Sequence, residues 1–122
     1  MQPTGRALGD AGETLAATYL EAGGWRILAR NVRAGGVELD LVARRRGVLA
    51  IVEVKTRRNR FAGAPEEAVD AAKRARLVRG AAAWLHENPQ RRHRVRFDVM
   101  LCEPGANGWR VRHLEGAFDA GD

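Results

Sequence analysis

Residues 38–55 read Glu38-Leu39-Asp40-Leu41-Val42-Ala43-Arg44-Arg45-Arg46-Gly47-Val48-Leu49-Ala50-Ile51-Val52-Glu53-Val54-Lys55. Two apolar runs flank a short basic turn, and three carboxylates and a lysine punctuate them. Side chains two apart in a strand point the same way. Glu38 and Asp40 are therefore expected on one face of the first run, and Glu53 and Lys55 on one face of the second. The turn through Gly47 is short enough to pair the runs as an antiparallel hairpin. Pairing in the right register gathers Asp40, Glu53 and Lys55 into one patch.

Working outward, Val48–Val52 is apolar on both parities, the pattern of a central strand covered on both sides. Before the hairpin, Trp25, Ile27 and Ala29 alternate with Arg26, Leu28 and Arg30, and Ala34-Gly35-Gly36 marks a turn. Further back, Leu8, Gly12, Leu15, Ala16, Tyr19 and Leu20 recur at helical spacing from Gly5 to Ala22, where Gly23-Gly24 ends the pattern. Asp10 can cap the firmer part of that helix. Glu13 lies at the border of its apolar stripe.

After the hairpin, a second helix is expected from Pro65 through about His86, with Glu66, Glu67 and Asp70 in its first turns and Asn88-Pro89 closing it. Lys73 interrupts its apolar stripe. The lysine either snorkels to water along its stem or reaches the carboxylate patch or a phosphate. A fourth strand, Val95–Cys102, a turn over Glu103–Gly108, a fifth strand, Trp109–Leu114, and a tail to Phe118 complete the order α-β-β-β-α-β-β.

The 122 residues fit one domain, 1–122. The longest apolar run is far too short to span a bilayer, no signal-peptide pattern opens the chain, and a lone Cys102 excludes an internal disulfide and a cysteine-cluster zinc site. These features point to the cytoplasm. Lys and Arg number 21 against 15 Asp and Glu, a net +6. Such a balance attracts polyanions, nucleic acid foremost. The basic runs are Arg44-Arg45-Arg46, Arg57-Arg58-Asn59-Arg60 and Arg91-Arg92-His93-Arg94. They are either solvated surface or a grip on phosphates, and Arg44, Arg45, Arg57, Arg58 and Arg60 are the candidates. His86, His93 and His113 have no ligand spacing. The chain has no serine, so no serine triad.

Phosphodiester hydrolysis needs an activated water and a stabilised leaving oxygen, both of which Mg²⁺ can supply. Mg²⁺ takes oxygen ligands, one or two of them carboxylates. Asp40, Glu53 and the carbonyl of Val54 suit it, with Lys55 placed to orient water or neutralise developing charge. A Glu-x-Lys pair is also common on solvated strand faces, and the residues alone leave both readings standing.

Together these segments resemble the YraN family of small bacterial proteins. The segments are Glu38 to Ala43, Val52-Glu53-Val54-Lys55-Thr56-Arg57 and Arg96-Phe97-Asp98-Val99. To these add Gly9 to Glu13, Asn31-Val32-Arg33, Glu67-Ala68-Val69 with Lys73, His113 and Ala117-Phe118. The likeness covers about residues 5–118. It implies the PD-(D/E)xK nuclease superfamily, hence an α/β, restriction-endonuclease-like αβββαβ core with a mixed central sheet plus a final strand. By the same likeness Asp40, Glu53 and Lys55 are catalytic. Glu13 matches the first-helix glutamate of archaeal Holliday-junction resolvases, and Glu38 and Lys73 are accessory. The implied activity is Mg²⁺- or Mn²⁺-dependent cleavage of DNA, with branched or structured DNA among the substrates. A non-catalytic nucleic-acid-binding module of the same fold is the alternative, and a protein adaptor is a third. The resolvase likeness allows a homodimer. One departure is Val37, which separates Gly36 from Glu38.

Overall fold

The computed structural model describes residues 5–58, 69–89 and 93–120, with the side chains of residues 5–7 left aside. The chain forms α1 (Gly5–Ala22), β1 (Arg26–Ala34), β2 (Val37–Arg45), β3 (Val48–Thr56), α2 (Ala71–Glu87), β4 (Arg94–Gly105) and β5 (Gly108–Phe118). The strands make one mixed sheet in the order β1-β2-β3-β4-β5. Only β3 and β4 run parallel; the other neighbours are antiparallel. This is the expected αβββαβ core with a final strand.

Tight turns set the hairpins. Gly35 and Gly36 (φ 57° and 74°) join β1 to β2, and Arg46 and Gly47 (φ 48° and 77°) join β2 to β3. Two successive left-handed residues match the right-handed twist of paired strands. The parallel pair needs a crossover, and α2 lies within it.

The two faces of the sheet carry separate cores. Ala16, Ala17 and Leu20 of α1 pack with Leu41, Ala43, Ala50, Val52, Met100 and Cys102. Leu77, Ala81 and Trp84 of α2 pack with Val37, Leu39, Val42, Leu49, Ile51, Phe97 and Val99. Val48–Val52 thus serves both cores, as its unbroken apolar run predicts. Cys102 is a buried strand residue whose Sγ meets the Gly12 carbonyl at 3.4 Å. Burial pushes its thiol up to about 11, which keeps it unreactive.

The structure revises three boundaries. Asp70 is not a first-turn residue of α2 but its N-cap, accepting from the Lys73 N–H at 2.8 Å; Pro65, Glu66 and Glu67 lie outside the described residues. β4 continues through Glu103 to Gly105, so the expected turn shrinks to Ala106-Asn107. β5 runs on to Phe118, whose ring stacks on Phe97 at 4.9 Å. In both strands cross-strand pairing outweighs turn-forming composition.

Candidate metal and phosphate site

The alternation rule fails within β2, and the failure makes the site. Val37 and Leu39 pack with α2, whereas Leu41 and Ala43, of the same parity, pack with α1. β2 therefore turns over around Asp40. Beyond that point its ladder to β3 stops: the last pair is Leu41 with Val52. The N–H of Val54, released from the ladder, donates instead to Asp40 Oδ2 at 2.9 Å. Asp40 thus sits in a fork between two diverging strands, with its carboxylate in the gap.

Glu53 is the next β3 residue after that last pair. It follows Leu49 and Ile51 onto the α2 side, where Lys73 Nζ meets its Oε1 at 3.3 Å. Of the two readings of Lys73, the structure shows the one in which it reaches the carboxylates. Glu53 Oε2 is buried and finds no donor among the described residues. An orphaned buried oxygen costs about 1–3 kcal/mol unless something binds it.

The charges at the fork are uncomfortable, and their acidities show it. Burial, then the charge of Asp40, push the Glu53 carboxyl up to about 7 against the partial relief of Lys73. Burial also raises Asp40, opposed by the Val54 N–H and by Lys73. Glu13 is raised by burial and by Asp40, with an Asn31 hydrogen bond opposing. Three carboxyls with raised pKa values in one neighbourhood favour a cation beside them.

Glu13, Glu38, Asp40 and Val54 line one cleft of about 620 Å³, together with Gly9, Asp10, Asn31 and Arg33. Gly12 lets α1 approach: a Cβ there would collide with the Thr56 hydroxyl at the end of β3. That closeness brings Glu13, 8 % exposed, to the cleft. Asn31 entered the sequence reading only as part of the family likeness, with no site role of its own. It lies between the pairs Arg30–Leu41 and Val32–Leu39, hence across from Asp40. Its φ of 53° is left-handed, a conformation asparagine tolerates better than most residues. A lone asparagine in a strand of apolar and arginine residues was the available signal.

Lys55 is exposed at the end of β3 and acts on Glu53 through its charge. The lysine in contact with the acidic pair is Lys73. Arg58 is exposed, Arg57 is 8 % exposed and so withdrawn from the surface, and Arg60 lies outside the described residues. Arg44 and Arg45 line a different cavity, at the β2–β3 turn. Four to five strand residues separate them from Asp40, about 13–17 Å.

The donor set suits a hard divalent cation. Two carboxylates, an adjacent backbone carbonyl and room for water match Mg²⁺, which seldom takes more than two carboxylates from a protein. Among the described residues no three His, Cys, Asp or Glu side chains converge as a metal cage.

A family profile described as "Uncharacterised protein family UPF0102" matches residues 12–102, which include the whole fork. The chain belongs to the UPF0102 family. A UPF0102 protein of Symbiobacterium thermophilum is 50 % identical over 116 residues, covering 94 % of this chain and 98 % of its own. One from Trichlorobacter lovleyi is 44 % identical over 93 % of this chain and 91 % of its own. One from Frankia alni is 49 % identical over 92 % and 94 %. The YraN-like resemblance is thus met at the level of the family. No helix among the described residues is long and apolar enough to cross a membrane.

Proposed function

We propose that this UPF0102 protein is a divalent-metal-dependent nuclease of the PD-(D/E)xK type, acting on DNA in the cytoplasm. The observation that carries the reading is the fork. Asp40 fills the gap where β2 leaves β3, and beside it Glu53 holds a buried oxygen with no donor among the described residues. Asp40, Glu53 and the Val54 carbonyl would hold Mg²⁺ or Mn²⁺. The ion would supply charge for the phosphate oxygens and a more acidic water.

The chain's own groups have separate tasks. Lys73 fixes Glu53 in one rotamer and partly neutralises it. The Val54 N–H orients Asp40 by binding one oxygen and leaving the other to the gap. Glu13, made more basic by its raised pKa, can accept a proton from a water in the cleft. Lys55, exposed beside Glu53, can meet the scissile phosphate. The resolvase likeness extends the proposal to branched DNA and to a homodimer.

The test is cleavage of duplex, single-stranded, flap and four-way DNA with Mg²⁺ or Mn²⁺. Cutting that vanishes in chelator and in Asp40→Ala and Glu53→Ala is the expected result. No cutting of any substrate overturns the proposal. DNA binding that persists in chelator without any cutting identifies the non-catalytic module instead.

A further inference from the structure

The two edges of the sheet differ in what they display. β1 is a free edge, and its exposed positions include Arg26, Arg30 and Arg33. Arg33 lines the Asp40 cleft. Arg26 lines the other cavity, at the far end of the strand, with Arg44, Arg45 and Arg46. That cavity measures about 480 Å³, and none of its lining residues is a carboxylate. Arg45 is tied into the fold through the Gly23 carbonyl at 2.8 Å and the Trp25 ring at 4.8 Å. Arg26, Arg44 and Arg46 make no side-chain hydrogen bond or ion pair among the described residues. Arg30 donates to Thr14 Oγ1 at 2.6 Å and Arg33 to the Gly36 carbonyl at 3.1 Å, so both are held in place, and the Arg30 charge also acts on Glu13.

We propose that the β1 edge is a phosphate track: Arg26, Arg30 and Arg33, continued at the hairpin by Arg44 and Arg46, hold a nucleic-acid backbone and lead it to the Asp40–Glu53 fork. The inference rests on the nucleic-acid reading above and adds the path. Arg26 to Arg33 spans seven residues, about 23 Å. Helix α1 gives a second ruler. Asp10 lines the cleft and Gly23 the basic cavity; thirteen residues of helix come to about 20 Å. At 3.4 Å per nucleotide along one strand, either length accommodates about six or seven nucleotides.

Arginines on an edge strand also guard against edge-to-edge pairing. That role accounts for β1 alone. It does not account for two further arginines, with no ion pair among the described residues, gathered at the hairpin around a cavity that has no carboxylate in its lining.

The experiment is binding of a labelled DNA duplex, followed by fluorescence anisotropy in chelator across a salt series, so that cleavage plays no part. In wild type the logarithm of affinity falls linearly with the logarithm of salt. Arg26→Ala/Arg44→Ala/Arg46→Ala, whose side chains make no hydrogen bond or ion pair among the described residues, should flatten that slope by about 0.9 per lost phosphate contact. Affinity at low salt should drop by tenfold or more. Arg30→Lys/Arg33→Lys keeps charge and should keep the slope, whereas the alanine pair should not. Arg76→Ala/Arg79→Ala, on the exposed side of α2, is the control and should change little. Affinity should climb with duplex length up to about seven base pairs and then level towards the statistical rise of extra sites.

Wild type that does not bind, or a control that weakens binding as much as the track variants, overturns the track. A protein that binds through these arginines yet never cuts leaves the track standing and removes the nuclease. A protein that cuts with its track variants unimpaired does the reverse.

Discussion

Two buried carboxylates stand one strand apart, and they could hardly differ more. Asp98 on β4 is paired in register with Val52, the residue before Glu53. It is 1 % exposed and fully answered. Arg96 grips both its oxygens, at 2.8 and 2.9 Å, His113 Nε2 lies at 2.7 Å and the Gly116 N–H donates at 3.0 Å. Burial alone would raise its pKa, but these partners outweigh burial and hold it below the usual range. At the fork the balance is reversed. Burial dominates, the partners are few, and Glu53 rises to about 7. Burial therefore does not distinguish a structural carboxylate from a poised one; the inventory of donors does.

The largest expected difference is in chemistry. Asp40→Asn keeps the size of the side chain and removes its charge. It should abolish metal-dependent cleavage by ~10⁴-fold, about 5 kcal/mol of barrier, with little change in urea-denaturation midpoint. Loss of activity only in proportion to loss of fold would erase the contrast with Asp98.

Next comes stability. Asp98→Ala strands Arg96 and His113 in a buried site and should cost about 3 kcal/mol in urea unfolding. Activity per folded molecule should fall far less than in Asp40→Asn.

A third difference lies in pH. A carboxyl raised in the fold binds its proton more tightly there than in the unfolded chain. The folded state is thus favoured below the unfolded value of 4.5, and that advantage is lost as pH climbs to about 7. Asp98 and Glu103 have the opposite sign: their lowered pKa values give stability that is present above the unfolded values and lost on acidification. Glu53→Gln should accordingly melt higher than wild type at pH 8 without metal, by about 4 °C, and lose the gap at pH 5. Mg²⁺ should raise the wild-type melting temperature at pH 8 and raise that of Glu53→Gln less.

The smallest effect sharpens the comparison from the cation's side. Lys73 is one-third exposed, so its pair with Glu53 is worth about 1 kcal/mol or less. Lys73→Met retains the stem but lets Glu53 rise further. The acid limb of the pH–rate profile should move to higher pH, with a loss of about fivefold or less at neutrality.

Much of the frame was readable residue by residue. The period of 3.6 marked α1, the doubly apolar run marked β3, and turns containing glycine marked the hairpins. The order of elements followed, and with it the antiparallel pairing that sets Asp40 near Glu53. The second helix was placed less well, because Asp70 reads equally as a first-turn acid and as a cap until its φ is known. The Asp98 cluster was half readable: Arg96 two residues away is local, while His113 and Gly116 arrive from β5.

The sequence by itself determined which stretches are helix or strand, that both sides of β3 are covered, and that acids and a lysine lie on neighbouring strands. Those are consequences of local periodicity and turn chemistry, which act over a few residues. Only the tertiary structure decided that β2 turns over at Asp40, that Lys73 rather than Lys55 contacts Glu53, and that β1 is a free edge. Each depends on how two helices press on opposite faces of a twisted sheet. Such long-range packing has no signature in the spacing of any single segment.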